Sequence, residues 1–197
     1  TGTSATFKNP RGMITDGTNL YVADQSNHMI RKIVIATGVV TTIAGSTSSG
    51  STDGTGTAAR FYNPKEISTD GTNLYVVDTS NHKIRKIVIA TGAVTTFAGS
   101  GSQGSTDATG TSASFKSPSG ITTDGTNLYV TDHSNHTIRK IVISTGAVTT
   151  LAGTPGTSGS TNGTGAAAKF SSPHGITTDG TNLYVANNQT IRKIALT

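Results

Sequence analysis

The chain of 197 residues has no cysteine and no tryptophan, only two methionines, and charged residues make up only 13% of it. Without cysteine there is neither a disulfide framework nor a thiolate metal site. No run of about 18 apolar residues occurs, so no segment reads as a membrane-spanning helix. Aromatic residues are 5% of the chain, too few to supply the stacking platforms that hold single-stranded nucleic acid. The formal charge of +5 does not reverse that judgement. Much of it lies in four copies of Ile-Arg-Lys: Arg31 and Lys32, Arg85 and Lys86, Arg139 and Lys140, Arg192 and Lys193. They recur in fixed register inside an apolar strand, as parts of a repeating unit do; a nucleic-acid footprint is a basic face with interleaved aromatics. No secretory leader is recognisable, and the low-charge surface rich in Thr, Ser, Gly and Asn suits a secreted or cell-surface protein that has lost one.

What the sequence does contain is repetition. The heptapeptide Asp-Gly-Thr-Asn-Leu-Tyr-Val stands at Asp16–Val22, Asp70–Val76, Asp124–Val130 and Asp179–Val185, spaced by 54, 54 and 55 residues. A period of that size means one supersecondary unit used four times. In the third copy, Ser-Pro-Ser-Gly-Ile-Thr-Thr is a short strand ending in an Asp-Gly turn. Thr-Asn-Leu-Tyr-Val-Thr-Asp alternates with period two, His-Thr-Ile-Arg-Lys-Ile-Val-Ile is a β-branched third strand, and Gly-Ala-Val-Thr-Thr-Leu-Ala-Gly is a fourth. A long Gly/Ser/Thr loop leads to the next unit. Four antiparallel strands per unit, repeated, make an all-β fold, a β-propeller with one blade per unit at about 7–60, 61–114, 115–169 and 170–197. A blade alone cannot bury both apolar faces, so Leu20 and Val22 face one neighbour and Tyr21 the other.

The stretch ATFKNPRGMITDGTNLYVADQSNHMIRKI resembles the NHL repeat, whose unit has a Pro-x-Gly opening, a Leu-Tyr-Val-Ala-Asp strand and an Asn-His-x-Ile-Arg-Lys segment. Pro10, Gly12, Leu20–Asp24 and Asn27–Lys32 carry the match in the first unit. Pro64, Leu74–Asp78 and Asn81–Lys86 carry it in the second, and Pro118, Gly120, Leu128–Asp132 and Asn135–Lys140 in the third. The resemblance spans essentially the whole chain. Glu66 departs from it where a Gly is expected, and the fourth unit has lost two residues and its His.

The repeated histidines read as structure. Setting Val22 opposite Ile30 across the hairpin pairs Asp24 with His28, and by the same register Asp78 with His82 and Asp132 with His136, charge-assisted rungs that fix the turn. The fourth unit loses the His and replaces the Asp by Asn187, as a structural pair predicts. Asp16, Asp70, Asp124 and Asp179 cap an Asp-Gly turn. Asp53 and Asp107, with Asn162, supply one side-chain group per loop, far from the six to eight oxygens of a calcium site.

Function is sought where the repeats disagree. The residue after the opening Pro is Arg11, Lys65, Ser119 and His174; the first residue of the turn between second and third strands is Gln25, Thr79 and His133. Both sets are expected at the same end of the sheet, the first at one mouth of the central channel. Arg11, Lys65, Ser119, His174 and His133 are therefore the candidate ligand-binding residues, suited to an anionic or hydroxyl-rich ligand. Glu66 neutralises part of that field. The resemblance implies a second chemistry, because lyases related to this repeat class use histidine-bound zinc; His133 and His174, with His136, are the residues to test. No third convergent ligand is evident, no catalytic triad geometry is encoded, and no cofactor motif is present.

The last unit stops at its third strand. The sequence accommodates a four-bladed ring with an incomplete blade, a homodimer completing a larger propeller, or a fragment of a longer array. The reading is a non-catalytic binding or scaffold module for a small molecule, glycan or protein; the alternatives are a lectin-like carbohydrate binder and a metal-dependent lyase or lactonase.

Overall fold

The computed structural model describes residues 2–196. It is all-β, and no α-helix occurs among the described residues. The first blade consists of β1 (Pro10–Thr15), β2 (Asn19–Asp24), β3 (Met29–Val34) and β4 (Val40–Gly45), antiparallel in that order. The second contains β5 (Gly54–Thr55), β6 (Pro64–Thr69), β7 (Asn73–Asp78), β8 (Lys83–Val88) and β9 (Ala93–Ala98). Its order is β5-β9-β8-β7-β6. The third is β10 (Gly120–Thr123), β11 (Asn127–Asp132), β12 (Thr137–Val142) and β13 (Val148–Ala152). The fourth has three strands, β14 (Pro173–Thr178), β15 (Asn182–Asn187) and β16 (Thr190–Ala195). Four consecutive antiparallel strands per repeat, and three in the last, follow the sequence pattern. The loop strand β5 does not: Gly54 and Thr55 pair with Val94 and Ala93 on the outer edge of β9, so the long loop partly covers that edge.

The chain divides into two compact units, Thr1–Thr96 and Phe97–Thr197. In the first, Tyr21, Ala23, Ile30 and Ala44 of one blade pack on Ala59, Phe61, Ile67, Leu74, Val76 and Ile87 of the next. The second repeats the arrangement: Tyr129, Ile138 and Ala152 meet Ala168, Phe170, Leu183 and Val185. The Tyr face of one blade thus lies on the Leu/Val face of its neighbour, as the alternation of Leu-Tyr-Val requires. First strands of paired blades approach closely. A Cβ on Gly12 would fall 2.7 Å from the Cα of Glu66, and one on Gly120 would fall 2.2 Å from the carbonyl oxygen of His174. Glycine is demanded at these two positions by the neighbouring backbone.

The Asp-Gly turn is built as its residues dictate. Asp16 Oδ1 accepts the amides of Thr18 and Asn19 (2.9 and 2.6 Å) while Gly17 takes φ +88°. The other carboxylate oxygen receives the Tyr21 hydroxyl at 2.9 Å, a bond repeated by Tyr75, Tyr129 and Tyr184 at 2.8–2.9 Å. Each repeat therefore ties its turn to the tyrosine of its second strand, buried in the first three copies and half-buried in the fourth.

Candidate functional site

The hairpin register differs by one residue from that expected for the Asp–His rungs. Asp24 stands opposite Met29, Asp78 opposite Lys83 and Asp132 opposite Thr137. The displacement has a local cause. The turn is a 3-10 segment, Gln25–Asn27 in the first blade, closed by a histidine in the left-handed conformation (His28 φ 57°, His82 φ 57°, His136 φ 59°). The histidine therefore belongs to the turn rather than to the strand. Its side chain latches the next blade: His28 Nδ1 accepts the Asn63 amide at 3.2 Å, and His136 Nδ1 accepts that of Ser172 at 3.0 Å.

The aspartates instead bind the repeated arginines. Asp132 is fully buried, and its Oδ2 takes Arg139 Nη1 at 2.9 Å and Asn135 Nδ2 at 2.8 Å, while Oδ1 takes the Lys116 amide at 2.8 Å. Arg139 is also fully buried, and its Nη2 reaches Asp107 in the long loop at 2.7 Å. Two carbonyls, of Ser114 and Thr106, receive its remaining bonds, and the guanidinium sits 5.1 Å from the centroid of the Phe115 ring. The second blade repeats this with Arg85, Asp78, Asp53 and Phe61. The loop aspartates weighed as calcium ligands are thus counter-ions of buried arginines. Burial raises the carboxyl of Asp132, against hydrogen bonds from Asn135 and Lys116 and the charge of Arg139. Among the described residues the first blade offers its arginine one carboxylate, Asp24 to Arg31 at 3.1 Å. The fourth has none among the described residues: Arg192 bonds the carbonyls of Lys169 and Thr161 and Asn162 Oδ1. Sequence reasoning missed this network, although a signal existed. Asp53 and Asp107 precede their arginines by 32 residues, and where Asn162 takes that place, Asn187 also replaces the strand aspartate.

With the repeated residues consumed by the frame, the variable ones remain. In the first unit the opening residue and the turn meet: Arg11 Nε donates to Gln25 Oε1 at 3.1 Å, and Asn9 Nδ2 donates to the same oxygen at 2.9 Å. Burial and the nearby Arg11 charge together push the Lys65 amine down, against the opposing pull of Glu66. Burial lifts the carboxyl of Glu66, which lies over Gly12. In the second unit His133, on the turn, and His174, after the opening Pro, bring their rings to 4.6 Å between centroids, tilted by 49°. The expectation that both sets share one end of the sheet holds within each unit.

Ser119 does not fit a ligand-contact role. It is buried, and its hydroxyl lies 3.0 Å from Thr131 Oγ1 and donates to the carbonyls of Pro173 and His174 (3.1 and 3.2 Å). Thr131 also donates to the His174 carbonyl, at 2.6 Å. Ser119 thus positions the backbone of His174. Among the described residues no group of three or more His, Cys, Asp or Glu is arranged to hold a metal, so His136 does not join His133 and His174.

No protein-family model matches the chain. Among curated proteins, it is 30% identical over 220 residues to human NHL repeat-containing protein 2, covering 93% of this chain and 30% of that protein. Of solved structures, a Bacteroides thetaiotaomicron protein of unknown function superposes with a TM-score of 0.80 at 27% identity, over 95% of this chain and 47% of that one. A virginiamycin B lyase from Staphylococcus aureus superposes at 0.56 with 18% identity, over 95% and 55%. The chain spans less than a third of the curated relatives it matches and about half of these structures. By repeat sequence and by fold, it is a β-propeller array of NHL-type repeats.

Proposed function

We propose that the chain is a non-catalytic binding module whose ligand face is the end of the blades carrying the opening residues and the second-to-third-strand turns. The observation that carries this reading is a division of labour. Repeated polar residues are bonded into the frame, whereas Arg11, Gln25 and Lys65 in one unit, and His133 and His174 in the other, vary and collect at that end. Arg11 and the half-buried Lys65 fit an anionic, hydroxyl-rich ligand such as an acidic sugar: a carboxylate there offsets the burial and the nearby Arg11 charge that lower Lys65.

Titration calorimetry of the purified protein with citrate, phosphate and an oligogalacturonate tests it. One of these is expected to bind, and Lys65→Met is expected to weaken it about tenfold, the loss of one charged hydrogen bond. No heat from any of the three up to about 10 mM would overturn the reading. The paired imidazoles support a second one, a metal-dependent lyase or lactonase, for which zinc binding lost in His174→Ala is the test.

A further inference from the structure

Of the four repeated arginines, Arg192 is the one without a carboxylate among the described residues. The loop residue that reaches it is Asn162, whose Oδ1 accepts from Arg192 Nη2 at 2.8 Å. At the same place Asp53 and Asp107 meet Arg85 and Arg139 at 2.7 Å. The three loops read Thr-Asp-Gly-Thr-Gly at 52–56, Thr-Asp-Ala-Thr-Gly at 106–110 and Thr-Asn-Gly-Thr-Gly at 161–165. The fourth blade thus carries the amide of the acid that the other two use, and a glycine follows it.

Asparagine before glycine is a chemically labile pair. The glycine nitrogen, with no Cβ beside it, closes on the asparagine side-chain carbonyl, and the resulting cyclic imide is opened by water. The surroundings of Asn162 favour that reaction. Asn162 and Gly163 are exposed and lie outside any strand or helix. Exposure at this place belongs to the loop itself: the Asp53 and Asp107 side chains are 47% and 46% exposed with β9 and β13 beside them. Gly163, like Ala108 in the third blade, gives its amide to no acceptor among the described residues. Arg192 supplies what a free peptide lacks, a cationic donor on Oδ1, where negative charge develops as the nitrogen attacks. Asn187 has none of this: it is buried, precedes Asn188, and its Oδ1 accepts the Ser171 amide at 2.6 Å.

We infer that Asn162 is a self-modifying site that converts to aspartate and so gives Arg192 its missing counter-ion. Gly163 N bonds to Asn162 Cγ, and its proton leaves with the side-chain amide as ammonia. Water then adds at Cγ, the carbon that Arg192 polarises, and breaks the new carbon–nitrogen bond, returning the proton to Gly163 N. One water is consumed and one ammonia released, with no enzyme or redox partner. The product places a carboxylate on Arg192 as Asp107 lies on Arg139, so the fourth blade acquires its ion pair with time.

Peptide mapping by mass spectrometry tests this on the purified protein held in mildly alkaline buffer, beside a free peptide of residues 158–167. Asn162 is expected to convert while Asn187 does not, faster as pH rises, and with a larger share of aspartate over isoaspartate than in the peptide. Arg192→Gln is expected to slow conversion several-fold and to return the product ratio to that of the peptide. Asn162→Asp is expected to raise the urea midpoint, and Arg192→Gln to abolish that gain. Asn162 remaining intact while the peptide converts would overturn the inference. So would equal rates with and without Arg192, a product ratio equal to the peptide's, or an Asn162→Asp midpoint no higher than wild type.

Discussion

Replacing Arg139 by methionine keeps an unbranched, flexible stem but removes the guanidinium and its charge. It deletes four hydrogen bonds of 2.7–3.1 Å, two of them to carboxylates, and leaves Asp132 fully buried without its cation. Breaking a buried ion pair by removing one partner costs about 3–5 kcal/mol. Asp132 keeps the Lys116 amide and the Asn135 side chain, which argues for the lower half of that range. With a urea slope of about 2 kcal/mol per molar, the midpoint falls by about 1.5–2 M. Tyrosine emission reports the transition without interference, since tryptophan is absent, and the second unit carries Tyr129 and Tyr184. The repeats supply their own gradation. Arg85 has two carboxylates, Arg31 one and is 13% exposed, and Arg192 none among the described residues. The cost of the methionine substitution should therefore run Arg139 ≈ Arg85 > Arg31 > Arg192, the last within about 1 kcal/mol, because a partly exposed, unpaired cation contributes little. There is also a pH signature. Burial raises the Asp132 carboxyl, so the folded state takes up a proton there more readily than the unfolded chain does, and removing Arg139 strengthens that tendency. The deficit of Arg139→Met should be largest at neutral pH and shrink as the buffer is acidified. Equal costs at all four arginines, or a loss below about 1 kcal/mol at Arg139, would refute the ion-pair account.

Other consequences follow from the same geometry. The Asp–Tyr ties give a pH window: against the raising effect of burial, hydrogen bonds from Asn127, Tyr129 and Thr126 hold Asp124 down to about 2, so its contribution is present above pH 3.8 and lost as pH falls through about 2. Tyr129, pushed up to about 12 by burial and its bond to Asp124, contributes below pH 10 and loses that contribution as pH rises through about 12. Urea midpoints for wild type and Tyr129→Phe should converge at both extremes; a constant gap contradicts the tie. Gly120→Ala should cost about 2 kcal/mol or more by calorimetry, since its Cβ meets the His174 carbonyl, while Gly175→Ala at the equivalent place meets only a methyl at 4.0 Å and should cost under 1 kcal/mol. Ser119→Ala should lower stability by about 1–3 kcal/mol and shift the His174 amide resonance, whether or not a ligand is present.

Much of the fold was legible in the sequence because the repeat gives every local signal four times. Asp16-Gly17 sets a turn, Leu20-Tyr21-Val22 sets two buried faces, and the period sets the blade. Two things were not legible. The hairpin register could not be read because His28 looks like a strand residue until its left-handed backbone is known; a turn one residue longer shifts every cross-strand pair. The Arg85–Asp53 contact was hidden because it spans 32 residues and joins a strand to a loop; only the recurrence of that spacing at Asp107 and Arg139 betrays it. Of the candidate site residues, variation between copies selected Arg11, Lys65, His133 and His174, on which the proposed ligand face rests. It also selected Ser119, where small size reflects burial against the next blade rather than access to a ligand.

The account's central claim is that repeated residues are frame and variable ones are site. Following backbone amides by NMR while an oligogalacturonate is added tests it most directly. The account predicts shifts confined to the opening and turn residues, Asn9–Arg11, Gln25, Lys65 and Glu66 foremost, with the Asp-Gly turns and the Arg–Asp network unmoved. Shifts centred on those repeated residues, or none for the oligogalacturonate, citrate or phosphate, would contradict it.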